Sequence, residues 1–130
     1  MPALPWKTQR QAESDREYLV LASFLPLKRW AATPRFFSAV RSIRKQLDGA
    51  RGLYGYSLKA QPLGRRYWTL SMWEEEAALM DFVRTAPHAV VMSSLVRDMG
   101  PTRFVRWSVS GSAAPPSWED ALGLLESGRP

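Results

Sequence analysis

The amino-acid sequence predicts an α+β domain of βαββαβ order, on three observations. Four segments, 18–25, 53–60, 66–73 and 102–109, have strand length and are rich in β-branched and aromatic residues. Two stretches, 33–48 and 74–99, repeat apolar residues at helical spacing. A short Pro/Gly segment, Gln61 to Arg65, joins the middle two strands as a hairpin. Two crossover helices around a central hairpin give a ferredoxin-like antiparallel sheet with both helices on one face.

Each element follows from local chemistry. Tyr18 to Leu25 is apolar on both faces, the mark of a strand covered on both sides, and Pro26 stops it. Thr33-Pro34 reads as an N-cap followed by proline at the first helical position. Phe36, Val40, Ile43 and Leu47 then recur on one face, with Arg41 and Lys45 opposite, and Gly49 ends the helix. Glu74-Glu75-Glu76 supplies an acidic first turn that favours the positive end of the next helix dipole. Leu79, Phe82, Val83 and Ala86 form its buried stripe. Pro87 breaks that helix, and a second piece runs from His88 to Met99. After the strand at 102–109, Gly111 to Pro116 reads as a linker, and Ser117-Trp-Glu-Asp120 resembles a capping box.

A chain of 130 residues holds one core and little else. The expected organisation is a flexible leader at 1–16, the folded domain at 17–110, and a linker with a short helix at 111–130. No apolar run approaches the ~20 residues that span a bilayer, so no membrane association is expected. Residues 1–15 are polar and lack the apolar centre of a secretory signal, which points to the cytoplasm. The formal charge is +6, but the basic residues are scattered: Arg41, Arg44 and Lys45; Arg65 and Arg66; Arg103 and Arg106. Without a basic block or an aromatic RNA-binding motif, a nucleic-acid partner is not expected. A solvated basic surface, or one that attracts an anionic substrate, accounts for them.

Cysteine is absent and His88 is the single histidine. Disulfides, thiolate nucleophiles, Cys-ligated metals and a two-His metal site within one chain are therefore excluded. No Gly-x-Gly-x-x-Gly motif follows a strand, so neither a flavin nor a metal is expected. Haem stays open, with His88 as one axial ligand.

Alternation sorts the side chains between the sheet faces. Tyr67, Thr69, Ser71 and Trp73 should share one face, and Trp68, Leu70 and Met72 the other. By the same rule Tyr54, Tyr56 and Leu58 should lie together, as should Val105, Trp107 and Val109. Both faces are then apolar, while two helices cover one. The uncovered face is expected to close against a second copy, giving a homodimer.

The run Tyr67-Trp-Thr-Leu-Ser-Met-Trp-Glu-Glu-Glu-Ala-Ala-Leu-Met-Asp-Phe-Val-Arg-Thr-Ala-Pro-His88 resembles the antibiotic-biosynthesis-monooxygenase-like group of dimeric α/β barrels. That group carries a strand ending Leu-Ser-x-Trp, an acidic helix start, and a histidine about fifteen residues after the tryptophan. Gly52-Leu-Tyr-Gly-Tyr56 is similar to the strand before its hairpin.

The resemblance implies a pocket between sheet and helices. Cofactor-free oxygenases of the group hold an electron-rich phenol there and deprotonate it for direct reaction with O₂. On that analogy Trp73 lines the cavity, and Thr69 and Ser71 offer hydroxyls. Phe36, Phe37 and Met92 wall the cavity, and His88 orients the substrate or accepts its proton. Two departures stand against a full carry-over. Thr69 sits where some of these oxygenases place asparagine. Phe82 and Met92 occupy the spacing that the haem-degrading branch fills with Trp and His.

Plainer readings exist for each residue. A histidine after Pro87 can cap or pack, and tryptophans can be core. The function expected is that of a cofactor-free monooxygenase-like protein acting on a planar hydrophobic or phenolic molecule. The alternative is a non-catalytic dimer that binds an apolar ligand or haem, or serves a biosynthetic enzyme.

Overall fold

The computed structural model describes residues 4–85 and 95–127. Five antiparallel strands form one sheet: β1 (Lys7–Thr8), β2 (Glu17–Pro26), β3 (Leu53–Gln61), β4 (Arg66–Trp73) and β5 (Arg103–Ser110). Their order is β1-β3-β4-β2-β5. Leaving out the short β1, this is the split βαβ order of a ferredoxin-like fold. Among the described residues three helices accompany the sheet: α1 (Thr33–Asp48), α2 (Glu76–Arg84) and α3 (Trp118–Ser127). None of these helices is long and apolar enough to cross a membrane.

The apolar faces of α1 and α2 pack on one side of the sheet. Phe36 and Ala39 meet Leu25 and Tyr67, while Leu47, Leu79 and Phe82 meet Leu19, Leu21 and Trp73. Burying Phe36 and Leu47 stabilises the domain by roughly 1.5–3 kcal/mol each. A 3₁₀ turn at Trp30–Ala32 precedes α1 and shifts its start. Thr33 is already helical at φ −58° and ψ −47°, and Ala32 takes the N-cap position that Thr33 was expected to fill. The Thr33 hydroxyl is buried and has no partner among the described residues. At α2, Glu75 is the extended N-cap, so Glu76 alone brings acidity to the first turn. The cap of α3 is as expected, with Ser117 Oγ accepting the Asp120 N–H at 3.1 Å. The chain re-enters the sheet through a 3₁₀ turn at Val96–Asp98. There the buried Asp98 carboxylate accepts from Arg29 Nη2 at 2.6 Å and from Arg35 Nη2.

One face assignment is corrected. A bulge lies between Leu53, which pairs with Trp73, and Gly55, which pairs with Met72. The extra residue puts Tyr54 on the face opposite Tyr56. Tyr54 packs on Tyr18 at 4.6 Å between ring centroids, and Tyr56 joins Trp73 beneath the helices.

A second correction concerns the face expected to be open. Tyr18, Val20, Ala22, Leu70, Met72 and Val105 are all buried there, against Ala121 and Leu125 of α3. Trp6, Ala12 and Trp118 complete the cover, and Phe24, Trp68 and Trp107 stay half-buried. The segment expected to be a loose leader is part of this layer. Lys7 and Thr8 pair with Tyr56 and Gly55, and Leu4 N–H donates to Leu58 O at 2.8 Å. Two glycines admit it. A Cβ at Gly55 would stand 2.5 Å from the Trp6 indole, and one at Gly111 would stand 1.8 Å from Glu13 O. The apolar side chains that suggested a second copy are thus covered by the chain's own ends.

Candidate functional site

Strand alternation places Tyr67, Thr69, Ser71 and Trp73 beneath α1 and α2, as expected. The apolar layer there is divided. One cluster gathers Leu27, Phe36, Ala39, Tyr67, Leu95 and Met99. The other gathers Leu47, Leu53, Tyr56, Trp73, Leu79 and Phe82. Along β4 and β2 a row of hydroxyls separates them. Ser23 and Thr69 face each other across the strands and share a hydrogen bond. Ser71 Oγ accepts from Trp73 Nε1 at 2.8 Å.

Trp73 is 1% exposed, with its ring 5.3 Å from that of Phe82. Its indole N–H is spent on Ser71, so Trp73 fixes that hydroxyl and walls the row from behind. Phe36 is buried, while Phe37 is 42% exposed. Both rings lean on Tyr67, at 4.4 and 5.7 Å between centroids. His88 and Met92 lie outside the described residues.

Tyr67 is the residue that sequence reasoning placed on this face without assigning it a role. It is 4% exposed, and its hydroxyl is buried with no hydrogen-bond partner among the described residues. An unsatisfied buried hydroxyl costs about 1–3 kcal/mol, and such groups are few in native proteins. Burial pushes its phenol pKa upward, so the group stays protonated near neutrality. It can donate a hydrogen bond to an acceptor but cannot serve as a base. Its signal was available: Tyr67 stands two residues before Thr69, and so on the same face.

Two of the cavities among the described residues lie elsewhere. One of about 460 Å³ lies over α1, where Phe37 forms part of its wall. The other, of about 260 Å³, lies between the N-terminal strand and α1. Neither touches Thr69, Ser71 or Trp73. No three His, Cys, Asp or Glu side chains converge among the described residues.

No protein-family profile matches the chain, and no curated protein matches it by sequence. Solved structures do match. A Lactobacillus acidophilus protein named as a monooxygenase superposes with a TM-score of 0.62 at 12% identity, over 82% of this chain and 51% of its own. This chain therefore spans about half the length of that protein. A Nitrosomonas europaea protein named for the antibiotic biosynthesis monooxygenases gives 0.65 at 15% identity, over 77% of this chain and 94% of its own. SnoaB, a cofactor-independent oxygenase from Streptomyces nogalater, gives 0.59 at 10% identity, over 76% and 98%. The chain is an α+β protein with the ferredoxin-like, monooxygenase-like fold of these antibiotic-biosynthesis-monooxygenase-type proteins. The likeness is one of fold.

Proposed function

We propose that the protein is a monooxygenase-like enzyme of the cytoplasm that takes a planar hydrophobic or phenolic molecule against the hydroxyl row of β4. The observation that carries this reading is the buried Tyr67 hydroxyl, which has no partner among the described residues and belongs to a side chain on the same strand face as the row. A phenol or quinone oxygen would satisfy it, with Phe36 and Phe37 stacking on the ring plane. Thr69 and Ser71 would bond a second oxygen, and Trp73 would hold Ser71 in place. In this reading Met92 closes the apolar wall.

His88 is the proposed proton acceptor, since no described residue at the row titrates near neutrality. A deprotonated phenol is electron-rich enough to pass an electron to O₂ itself. Oxidising the phenol to a quinone turns one ring C–H and the phenol C–O–H into two C=O groups, consumes one O₂ and releases one water, so no outside reductant is needed. The reaction is accordingly proposed to need no resident cofactor.

One observation favours a second reading, a non-catalytic binding protein. The Ser23, Thr69 and Ser71 hydroxyls already bond one another or Trp73, and Trp73 is fully packed.

Thermal melts with a panel of planar phenols test the proposal. Wild type should be stabilised, Tyr67→Phe should lose most of that shift, and His88→Ala should keep it. A panel that stabilises neither wild type nor variants would contradict the site.

A further inference from the structure

We infer that the cavity between the N-terminal strand and α1 is a second ligand site, which takes a small aromatic carboxylate through Arg44. It is independent of the β4 row, because it shares no residue with it. The cavity measures about 260 Å³, just under the ~300–1,000 Å³ typical of small-molecule sites, so one ring with its acid group is the size it takes.

Its walls have two characters. Leu4, Trp6 and Tyr56 give it apolar and aromatic surface, while Lys7 and Arg44 bring positive charge. Ser57 is already saturated: its Oγ donates to Leu4 O at 2.7 Å and accepts from Trp118 Nε1 at 3.1 Å. The carboxylate nearest by, Asp48, accepts from Lys7 Nζ at 2.8 Å and from the Tyr56 hydroxyl at 3.2 Å. Lys7 is thereby neutralised.

Arg44 is not. Its Nε is buried and has no partner, and it forms no ion pair among the described residues. The same side chain walls the neighbouring cavity over α1, where Arg41 and Lys45 add two more cations. Four cationic side chains therefore surround one carboxylate, and that carboxylate is already engaged. A guanidinium with a free N–H beside an indole is matched to a planar anion, which a carboxylate satisfies in two-point geometry. The aromatic ring would pack on Trp6, since Tyr56 is buried and already faces Lys7 Nζ at 5.9 Å.

The test is a titration of ¹⁵N-labelled full-length protein with benzoate, the Trp6 indole signal being assigned from Trp6→Phe. Benzoate should move the Trp6 indole and Arg44 Nε–H signals saturably. Arg44→Gln should weaken binding by about tenfold or more, with Arg44→Lys intermediate. Tyr67→Phe should leave benzoate binding unchanged, which separates this site from the β4 row. Benzyl alcohol, which has the ring without the charge, should bind far more weakly. Three results would overturn the inference. They are no saturable Trp6 shift, wild-type affinity in both Arg44 variants, or inorganic phosphate competing as well as benzoate. The last would mean simple attraction to a basic surface.

Discussion

The indole of Trp6 occupies the space that a side chain on Gly55 would need. A Cβ built at residue 55 would meet three atoms of that ring at 2.5 Å each. Gly55→Ala should therefore displace Trp6 and destabilise the protein by about 1–3 kcal/mol, the usual cost of overpacking. In a Trp6→Ala background the same change should cost much less. Urea denaturation of the four proteins in this cycle measures the coupling. Equal costs in both backgrounds would show that the N-terminal strand does not rest on Gly55.

The cover over the second sheet face makes its own prediction. With α3 docked through Ala121 and Leu125, the wild-type chain should sediment as a single copy at micromolar concentration. Leu125→Asp should undock α3 and expose Val20, Ala22, Leu70 and Val105, so that variant should self-associate. A wild type at twice the chain mass, unaffected by Leu125→Asp, would mean that copies pair through another surface.

Asp98 gives the pH dependence. The hydrogen bond from Arg29, with the charges of Arg35 and Arg29, holds its carboxyl below the ordinary value despite the opposing effect of burial. A carboxyl whose folded pKa is depressed stabilises the fold above its unfolded pKa of ~3.9 and loses that contribution as pH falls toward the folded value. Urea midpoints measured from about pH 5 down to pH 2 should fall steeply in wild type. They should fall less steeply in Asp98→Asn, which is already weaker at neutral pH. Parallel curves would remove Asp98 from the acid transition.

Trp73 couples packing to the proposed site. Trp73→Phe removes ring volume from a fully buried position and frees Ser71 Oγ. It should cost about 1–2 kcal/mol. Because Ser71 is then free to turn, phenol affinity should fall as well. Calorimetry of binding, with a melt of the apo variant, reads both effects. Unchanged affinity with lowered stability would make Trp73 scaffold alone.

Much of this arrangement was legible in the sequence, because period-two alternation and helical spacing follow directly from burial. The face of Tyr67, Thr69, Ser71 and Trp73 needed only that rule. What was not legible depends on a single residue or on distant contacts. One bulge moved Tyr54 to the other face, since an inserted residue reverses all alternation before it. The 3₁₀ turn ahead of Thr33 shifted the helix start, because Trp30–Ala32 carries no composition signal for it. The polar leader looked loose, since its anchor is Trp6 against a glycine about fifty positions away. Asp98 gave no sign of its two arginines, which approach from 63 and 69 residues earlier. At the site, periodicity put Phe36 on the buried face of its helix and the family resemblance set Phe36 and Phe37 in the wall, but only the fold shows that the Tyr67 hydroxyl has no partner among the described residues.

Oxygen uptake tests the central claim most directly. Purified wild type, given a planar phenol that stabilises it in melts and no added cofactor or reductant, should consume one O₂ per substrate oxidised. His88→Ala should bind the same phenol but lower that rate by ~10²–10⁴, as loss of a general base does. Binding with no oxygen consumption by wild type would contradict the enzyme and leave a ligand-binding protein.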